Sequence, residues 1–308
     1  MKKLLTVLVV LAVIGLGVFW FVTMPKTIAA EALAANYTAD LKNGEEMFNA
    51  GGCAGCHTTA GQKERLKLGG GLGLKSPFGT FYAPNISPDK TNGIGNWTEF
   101  QFVNAVQRGV GPEGEHLYPA LPYASYQHMH VKDVRDMFAY IRTLPTDATP
   151  DKPHQIGFPF NIRRLLGGWK FLYMDNKEWA DDTAHDAQWN RGGYLVEGPG
   201  HCAECHSPRD MMGGIVAGSR FAGAPNMDGP GWIPNITPHA DGIKWSKDDM
   251  TSFLETGQTP DFDSAGGSMA EVIENMSRLT APDRQAMASY LTTLPPRPGK
   301  KPAAAAKK

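Results

Sequence analysis

The sequence predicts a mainly α-helical protein, with one N-terminal helix of membrane-spanning length followed by two tandem copies of a small helical domain. Three observations predict this. Leu4 to Val22 runs 19 residues without a charge. A Cys-x-x-Cys-His motif occurs twice, at Cys53–His57 and at Cys202–His206. Each motif is followed by the same order of turn and helix signals.

The apolar run comes first. A spanning helix needs about 20 apolar residues. Phe19, Trp20 and Phe21 stand at its far end, where an aromatic belt is expected, and Lys2 and Lys3 assign the N-terminus to the cytoplasm. A cleaved signal peptide is the competing reading, with Ala32-Leu33-Ala34 as its cleavage site. Signal h-regions are shorter, about 7–15 residues. Residues 1–36 therefore read as an uncleaved anchor and linker. In a bacterium that gives a single-pass inner-membrane protein with the rest of the chain in the periplasm.

The repeat is read from matched spacings. Gly44 precedes Cys53 by nine residues, and Gly193 precedes Cys202 by nine. Ala83-Pro84-Asn85-Ile86-Ser87-Pro88 follows the first motif, and Ile233-Pro234-Asn235-Ile236-Thr237-Pro238 follows the second. The gaps from histidine to asparagine are 28 and 29 residues. Each half then reaches a tryptophan, Trp97 or Trp245. Thr98 with Gln101 makes a capping-box pattern for a helix carrying Phe102, Val103 and Val106 and stopping at Gly109. Ser246 is the matching cap, for a helix with Met250, Phe253 and Leu254 that stops at Gly257. Each half closes on an amphipathic helix ending in Thr-Leu-Pro. Its stripe is Val134, Met137, Phe138 and Ile141 in the first half, and Met287, Tyr290, Leu291 and Leu294 in the second.

These signals divide the chain into a first domain at 37–147, a connection at 148–186, a second domain at 187–296 and a tail at 297–308. The connection holds Phe158-Pro159-Phe160-Asn161-Ile162 and Trp169, too apolar for a free linker, so it is expected to pack on the domains. The tail is Pro, Ala and Lys and reads as disordered. With 308 residues, 42% hydrophobic, the chain can build two cores. Its 35 Gly and 23 Pro suggest loop-rich modules. A net charge of -1 offers nothing to a nucleic acid.

The four cysteines carry the chemistry. Two residues between Cys53 and Cys56, and between Cys202 and Cys205, let one helical turn present both sulfurs to a porphyrin edge. His57 or His206, the next residue, then reaches the iron. This is the sequence signal for covalent haem c. A thioredoxin-like redox pair has no use for that histidine and belongs in a βαβ pattern, which is not visible. Zinc would need two matching sites. The expectation is two covalent haems.

On these residues, together with Tyr118-Pro119-Ala120-Leu121-Pro122-Tyr123 and Ser268-Met269-Ala270-Glu271-Val272, the chain resembles a bacterial cytochrome family. These are the di-haem and multi-haem cytochrome c proteins that include the cytochrome subunits of membrane-bound alcohol, gluconate and fructose dehydrogenases. The resemblance covers about residues 40–296. Those dehydrogenase subunits typically carry three haems, and this chain has two motifs. The resemblance implies two class I cytochrome c-type domains. It also implies that the carbonyls of Pro84 and Pro234 orient the iron-bound histidines. Asn85, Asn235, Trp97 and Trp245 become candidates for the haem propionates or for turn and packing roles.

The resemblance implies a methionine as sixth iron ligand, which raises the potential. Met269 is the expected ligand of the second haem, 63 residues after His206, with Met276 as the alternative. In the first domain the family methionine falls at Leu121, 64 residues after His57, and leucine cannot ligate iron. Met129, in Ser125-Tyr126-Gln127-His128-Met129, is the expected substitute. His128, His130 or an open position are alternatives. His116, His154, His185, His201 and His239 are expected in surface or hydrogen-bonding roles.

The implied function is one-electron transfer from a periplasmic or membrane-bound dehydrogenase to an oxidase, a cytochrome or a quinone-linked acceptor. No catalytic residue is expected. The alternative is a di-haem peroxidase with an open first iron.

Overall fold

Lys2–Val22 forms α1, apolar after its first two lysines and with no buried residue. Among the described residues it is the one helix long and apolar enough to cross a membrane. The computed structural model describes residues 1–299 except Ala34, Ala60, Met227, Asp228 and Pro230. The end of the Ala32-Leu33-Ala34 site and residues 300–308 of the expected tail thus lie outside the described residues.

The protein is mostly helical. After α1 come α2 (Leu41–Ala50), α3 (Cys53–His57), β1 (Gly73–Ser76), β2 (Gly79–Tyr82), α4 (Glu99–Arg108), α5 (Tyr123–Tyr126) and α6 (Val131–Ile141). The chain continues through β3 (Gln155–Ile156), α7 (Leu165–Tyr173), α8 (Ala187–Glu197), α9 (Ala203–His206), β4 (Ala224–Pro225) and β5 (Trp232–Ile233). It closes with α10 (Lys247–Thr256), α11 (Ser268–Met276) and α12 (Ala281–Leu291).

Local chemistry sets the helix ends. Asp40 caps α2 by accepting from the N–H groups of Lys42 and Asn43. Thr98 with Gln101, and Ser246 with Asp249, form capping boxes on α4 and α10. Gly109 and Gly257 end those helices in the left-handed region, at φ 58° and 73°. The stripes of α6 and α12 are buried as the periodicity predicts, although Leu294 is buried beyond the end of α12.

The tightest packing is α2 against α6 and α8 against α12, where glycines let the backbones touch. A Cβ on Gly44 would fall inside the carbonyl oxygen of Asp136, and one on Gly192 inside that of Ala286. Tyr140 and Tyr290 flank these two glycines at matching places. The shared nine-residue spacing points instead to Gly193, which lies under the Trp179 ring. The stretch from Gly192 to Cys202 is ten residues, one longer than that from Gly44 to Cys53, so the packing equivalent of Gly44 is Gly192.

The short strands carry no alternating pattern that a sequence reading could find. β1, β2 and β3 form a three-stranded antiparallel sheet, and β4 pairs with β5. β3 comes from the segment after Pro150 and closes on Gly79, whose φ of 132° and missing Cβ admit the Gln155 carbonyl.

Helix α7 joins the C-terminal end of α1 to the rest of the molecule. Arg164 donates from Nε to Thr23 Oγ1 at 2.9 Å, and its guanidinium lies 4.0 Å over the Trp20 ring. His116, buried rather than on the surface, donates from Nε2 to the Thr23 carbonyl at 2.9 Å. Lys170 Nζ donates to the carbonyls of Arg108 and Gly109 at 2.7 and 2.6 Å, satisfying the C-terminal end of α4. Lys170→Met should cost about 1–3 kcal/mol, because the carbonyls of Arg108 and Gly109 lose their donor. A lower urea midpoint at unchanged slope would register the loss.

Arg297 to Gly299 are tied down by hydrogen bonds. The Arg297 carbonyl accepts from Asn235 Nδ2 at 2.8 Å, and Gly299 N–H donates to Asp241 Oδ2 at 2.8 Å.

Candidate functional site

Both Cys-x-x-Cys-His segments fold as a single helical turn. Gly52, in the left-handed region at φ 59°, starts α3; Cys202 caps α9. Residues at i, i+3 and i+4 share a helix face. Cys53, Cys56 and His57 therefore stand together, as do Cys202, Cys205 and His206. Cys53 and Cys202 are half-buried, whereas Cys56 and Cys205 are exposed.

Burial pushes the Cys53 and Cys202 thiols up to about 12. A redox Cys-x-x-Cys pair needs the opposite shift. Among the described residues no group of three or more His, Cys, Asp or Glu is placed to hold a metal ion, so the zinc reading finds no ligand set.

The two histidines are oriented alike. His57 Nδ1 donates to the Pro84 carbonyl at 2.7 Å, and His206 Nδ1 to the Pro234 carbonyl at 2.8 Å. A carbonyl only accepts, so Nδ1 carries the hydrogen and the Nε2 lone pair faces outward for a metal. Burial lowers both imidazole pKa values against the opposing effect of that bond, which favours neutral rings.

Two glycines that spacing did not single out complete each turn. Gly70 N–H donates to the His57 carbonyl at 2.7 Å and Gly223 N–H to the His206 carbonyl at 2.8 Å. Both have positive φ, 70° and 84°, and a Cβ on Gly70 would collide with the carbonyls of Ala83 and Pro84. Their sequence signal is weak: a glycine 13 or 17 residues after the histidine.

Asn85 and Asn235 take the turn role. Asn85 Nδ2 donates to the carbonyls of Asp147 and Thr149, and its Oδ1 accepts from Ser87 N–H. Asn235 Nδ2 reaches the Arg297 carbonyl and Asp241, and its Oδ1 accepts from Thr237. Their amides are used within the protein, which leaves nothing for a propionate. Trp97 and Trp245 are half-buried against the core.

The two expected methionines have different surroundings. Met269 is half-buried in the first turn of α11. Met129 is 1% exposed, its carbonyl accepts from Gln107 Nε2 at 2.6 Å, and its Cγ packs toward Gly198 at the end of α8. Met276 is buried and Leu121 half-buried. His128 Nδ1 donates to the Lys177 carbonyl, while His130 bonds Glu178 and stacks on Tyr194.

Each motif thus presents two cysteine sulfurs and one imidazole nitrogen from a single turn, the donor set that fits haem c. Cys53, Cys56 and His57 would hold one haem; Cys202, Cys205 and His206 would hold another. When bound, haem supplies one-electron iron chemistry, and the protein contributes orientation and surroundings.

The cytochrome c family model matches residues 41–145. A diheme cytochrome c-type protein of Cereibacter sphaeroides is 44% identical over 96% of this chain and 99% of its own length. The chain belongs to the c-type cytochromes. The cytochrome is also similar to the fructose dehydrogenase cytochrome subunit of Gluconobacter japonicus, at 39% identity over 85% of this chain. The cytochrome c subunit of the quinone alcohol dehydrogenase of Gluconacetobacter polyoxogenes is 36% identical over 88% of this cytochrome. This cytochrome spans 54% and 60% of the length of those two subunits. It is an electron-transfer protein, and these relatives give the peroxidase alternative no support.

Proposed function

We propose that this cytochrome carries two haems, in tandem domains at 37–147 and 187–296 bridged by 148–186, and relays single electrons from a dehydrogenase to the respiratory chain. The observation that carries this reading is the duplicated histidine–carbonyl geometry at Pro84 and Pro234. The names of the relatives support a dehydrogenase as donor. An oxidase, a cytochrome or a quinone-linked acceptor completes the relay. Haem content of the purified full-length chain tests it: two haems per chain and two one-electron steps in a redox titration are expected. One haem per chain would overturn it.

In this reading α1 is the anchor, with the haem domains on the periplasmic side of the inner membrane. Its C-terminal end is fixed to α7, and Phe158, Phe171, Leu172 and Met211 are exposed there or on the adjoining loops. Nitroxide labels at Leu172→Cys and Met211→Cys, in nanodisc-embedded protein, should be relaxed more by lipid-soluble oxygen than by an aqueous nickel chelate. A label at Phe262→Cys should show the reverse.

In this reading Met269 is the sixth ligand of the second haem, 63 residues after His206 and half-buried rather than enclosed. Met129 is enclosed. Its counterpart before the last helix of the second half is Leu279, 3% exposed. Both facts support a packing role for Met129 and a first iron without a methionine ligand. Met129→Leu should leave the visible and EPR spectra of both haems unchanged. Loss of a low-spin signal from the first haem would restore Met129 as its ligand.

A further inference from the structure

The two motifs meet across the contact between the first and second halves of the chain. His201, directly before Cys202, donates from Nε2 to the carbonyl of Gly51 at 3.3 Å. Tyr126 OH donates to the same carbonyl at 3.0 Å, and its ring meets that of His201 edge-on with centroids 5.6 Å apart. Gly51 in turn lies against the first motif, since a Cβ there would stand 3.3 Å from Cys53 Sγ.

The contact is reciprocal. Ser125 Oγ, in α5, donates to Glu204 Oε1 inside the second motif at 2.8 Å. Asn275, in α11, faces Gly52 and Gly55 of the first motif, with Nδ2 at 3.9 Å from a Cβ built on either. Ser125 and Asn275 each stand six residues before the last helix of their half. Arg65 clamps Asn275 from the first half.

Within this near-symmetric arrangement one position is not matched. The residue before the first cysteine is left-handed in both motifs, with φ 59° at Gly52 and 38° at His201. Glycine adopts that conformation freely; histidine does not. A strained residue that its surroundings hold in place motivates a functional role. The strain sets an imidazole donor on the carbonyl two residues before the other motif's cysteine.

We propose that His201 is the electronic coupling residue between the two haem attachment sites. The proposal rests on the two-haem reading. The route from Cys202 through His201, across its hydrogen bond to the Gly51 carbonyl, and through Gly52 to Cys53 is bonded throughout except for that one hydrogen bond. Tunnelling falls more steeply across a gap than along bonds, so a route interrupted by a single hydrogen bond favours transfer through His201. In each event one ferrous haem iron loses one electron and the other, ferric, gains it. No proton or atom is transferred.

His201→Gly tests this, because glycine relieves the backbone while removing the ring. Pulse radiolysis of the full-length holo-cytochrome in detergent would reduce one haem and follow equilibration with the other. The expected result is two haems per chain, unchanged spectra and midpoint potentials, and an inter-haem rate at least an order of magnitude below wild type. An unchanged rate overturns the proposal, as does a slower rate explained by shifted potentials, the signature of a structural role. Tyr126→Phe should leave the rate unchanged, and an equal loss there would move the role to Tyr126. If His201→Gly does not assemble, His201→Asn also tolerates the left-handed backbone and should show the same fall. One haem in the wild type would sink the two-haem reading itself; two haems with an insensitive rate would sink only the bridge.

Discussion

Met269→Leu should convert the second haem from six-coordinate low-spin to five-coordinate high-spin iron and lower its midpoint potential by on the order of 0.1 V or more. A thioether is a soft ligand that favours ferrous iron, so losing it stabilises the ferric state. Met269 is half-buried on α11, where leucine preserves most of the packing. On the proposed ligation, the reverse change, Leu121→Met, should give the first iron a methionine ligand, raise its potential and convert a high-spin signal to low-spin. Optical, EPR and spectroelectrochemical measurements read both changes. If Met269→Leu keeps every low-spin signal, the ligand is another residue and Met276 is the next to test.

Gly44→Val and Gly192→Val should each destabilise the holo-protein severely, and the alanine changes should cost about 1–3 kcal/mol by overpacking. A Cβ at either glycine falls inside a backbone carbonyl, of Asp136 or of Ala286, and backbone cannot swing aside as a side-chain tip can. Gly193→Ala meets the edge of the Trp179 ring, a side chain, and should cost less than Gly192→Ala. Gly168→Ala in α7 meets nothing within 4 Å and should be neutral, or stabilising by up to about 1 kcal/mol through helix propensity. Denaturant unfolding followed by haem absorbance ranks the four sites. A larger cost at Gly193 than at Gly192 would return the helix crossing to the register that equal spacing suggests.

The sequence by itself determined the features whose causes lie within a few residues. Thr98 and Ser246 start helices because a hydroxyl reaches an N–H three residues on, and Gly109 and Gly257 stop them because glycine turns left-handed without strain. The haem-attachment signal is equally local, since two sulfurs and an imidazole need only one helical turn. The carbonyl role of Pro84 and Pro234 came from the family resemblance and not from any local pattern, since each meets a histidine 27 or 28 residues away.

Tertiary structure alone decided the rest. One extra residue between the packing glycine and the first cysteine puts the helix crossing of the second half at Gly192 rather than Gly193, and equal spacing cannot reveal which backbone a glycine will touch. Asn85 was bound to its turn by the Asp147 carbonyl, 62 residues away, and so withdrawn from a propionate role. Met129 is buried and Met269 half-buried, a difference that two methionines at plausible spacings do not reveal in the sequence. The meeting of His201 with Gly51, 150 residues apart, has no local signal. Such contacts depend on which faces pack together, and that choice is made by the whole buried surface rather than by any short stretch of chain.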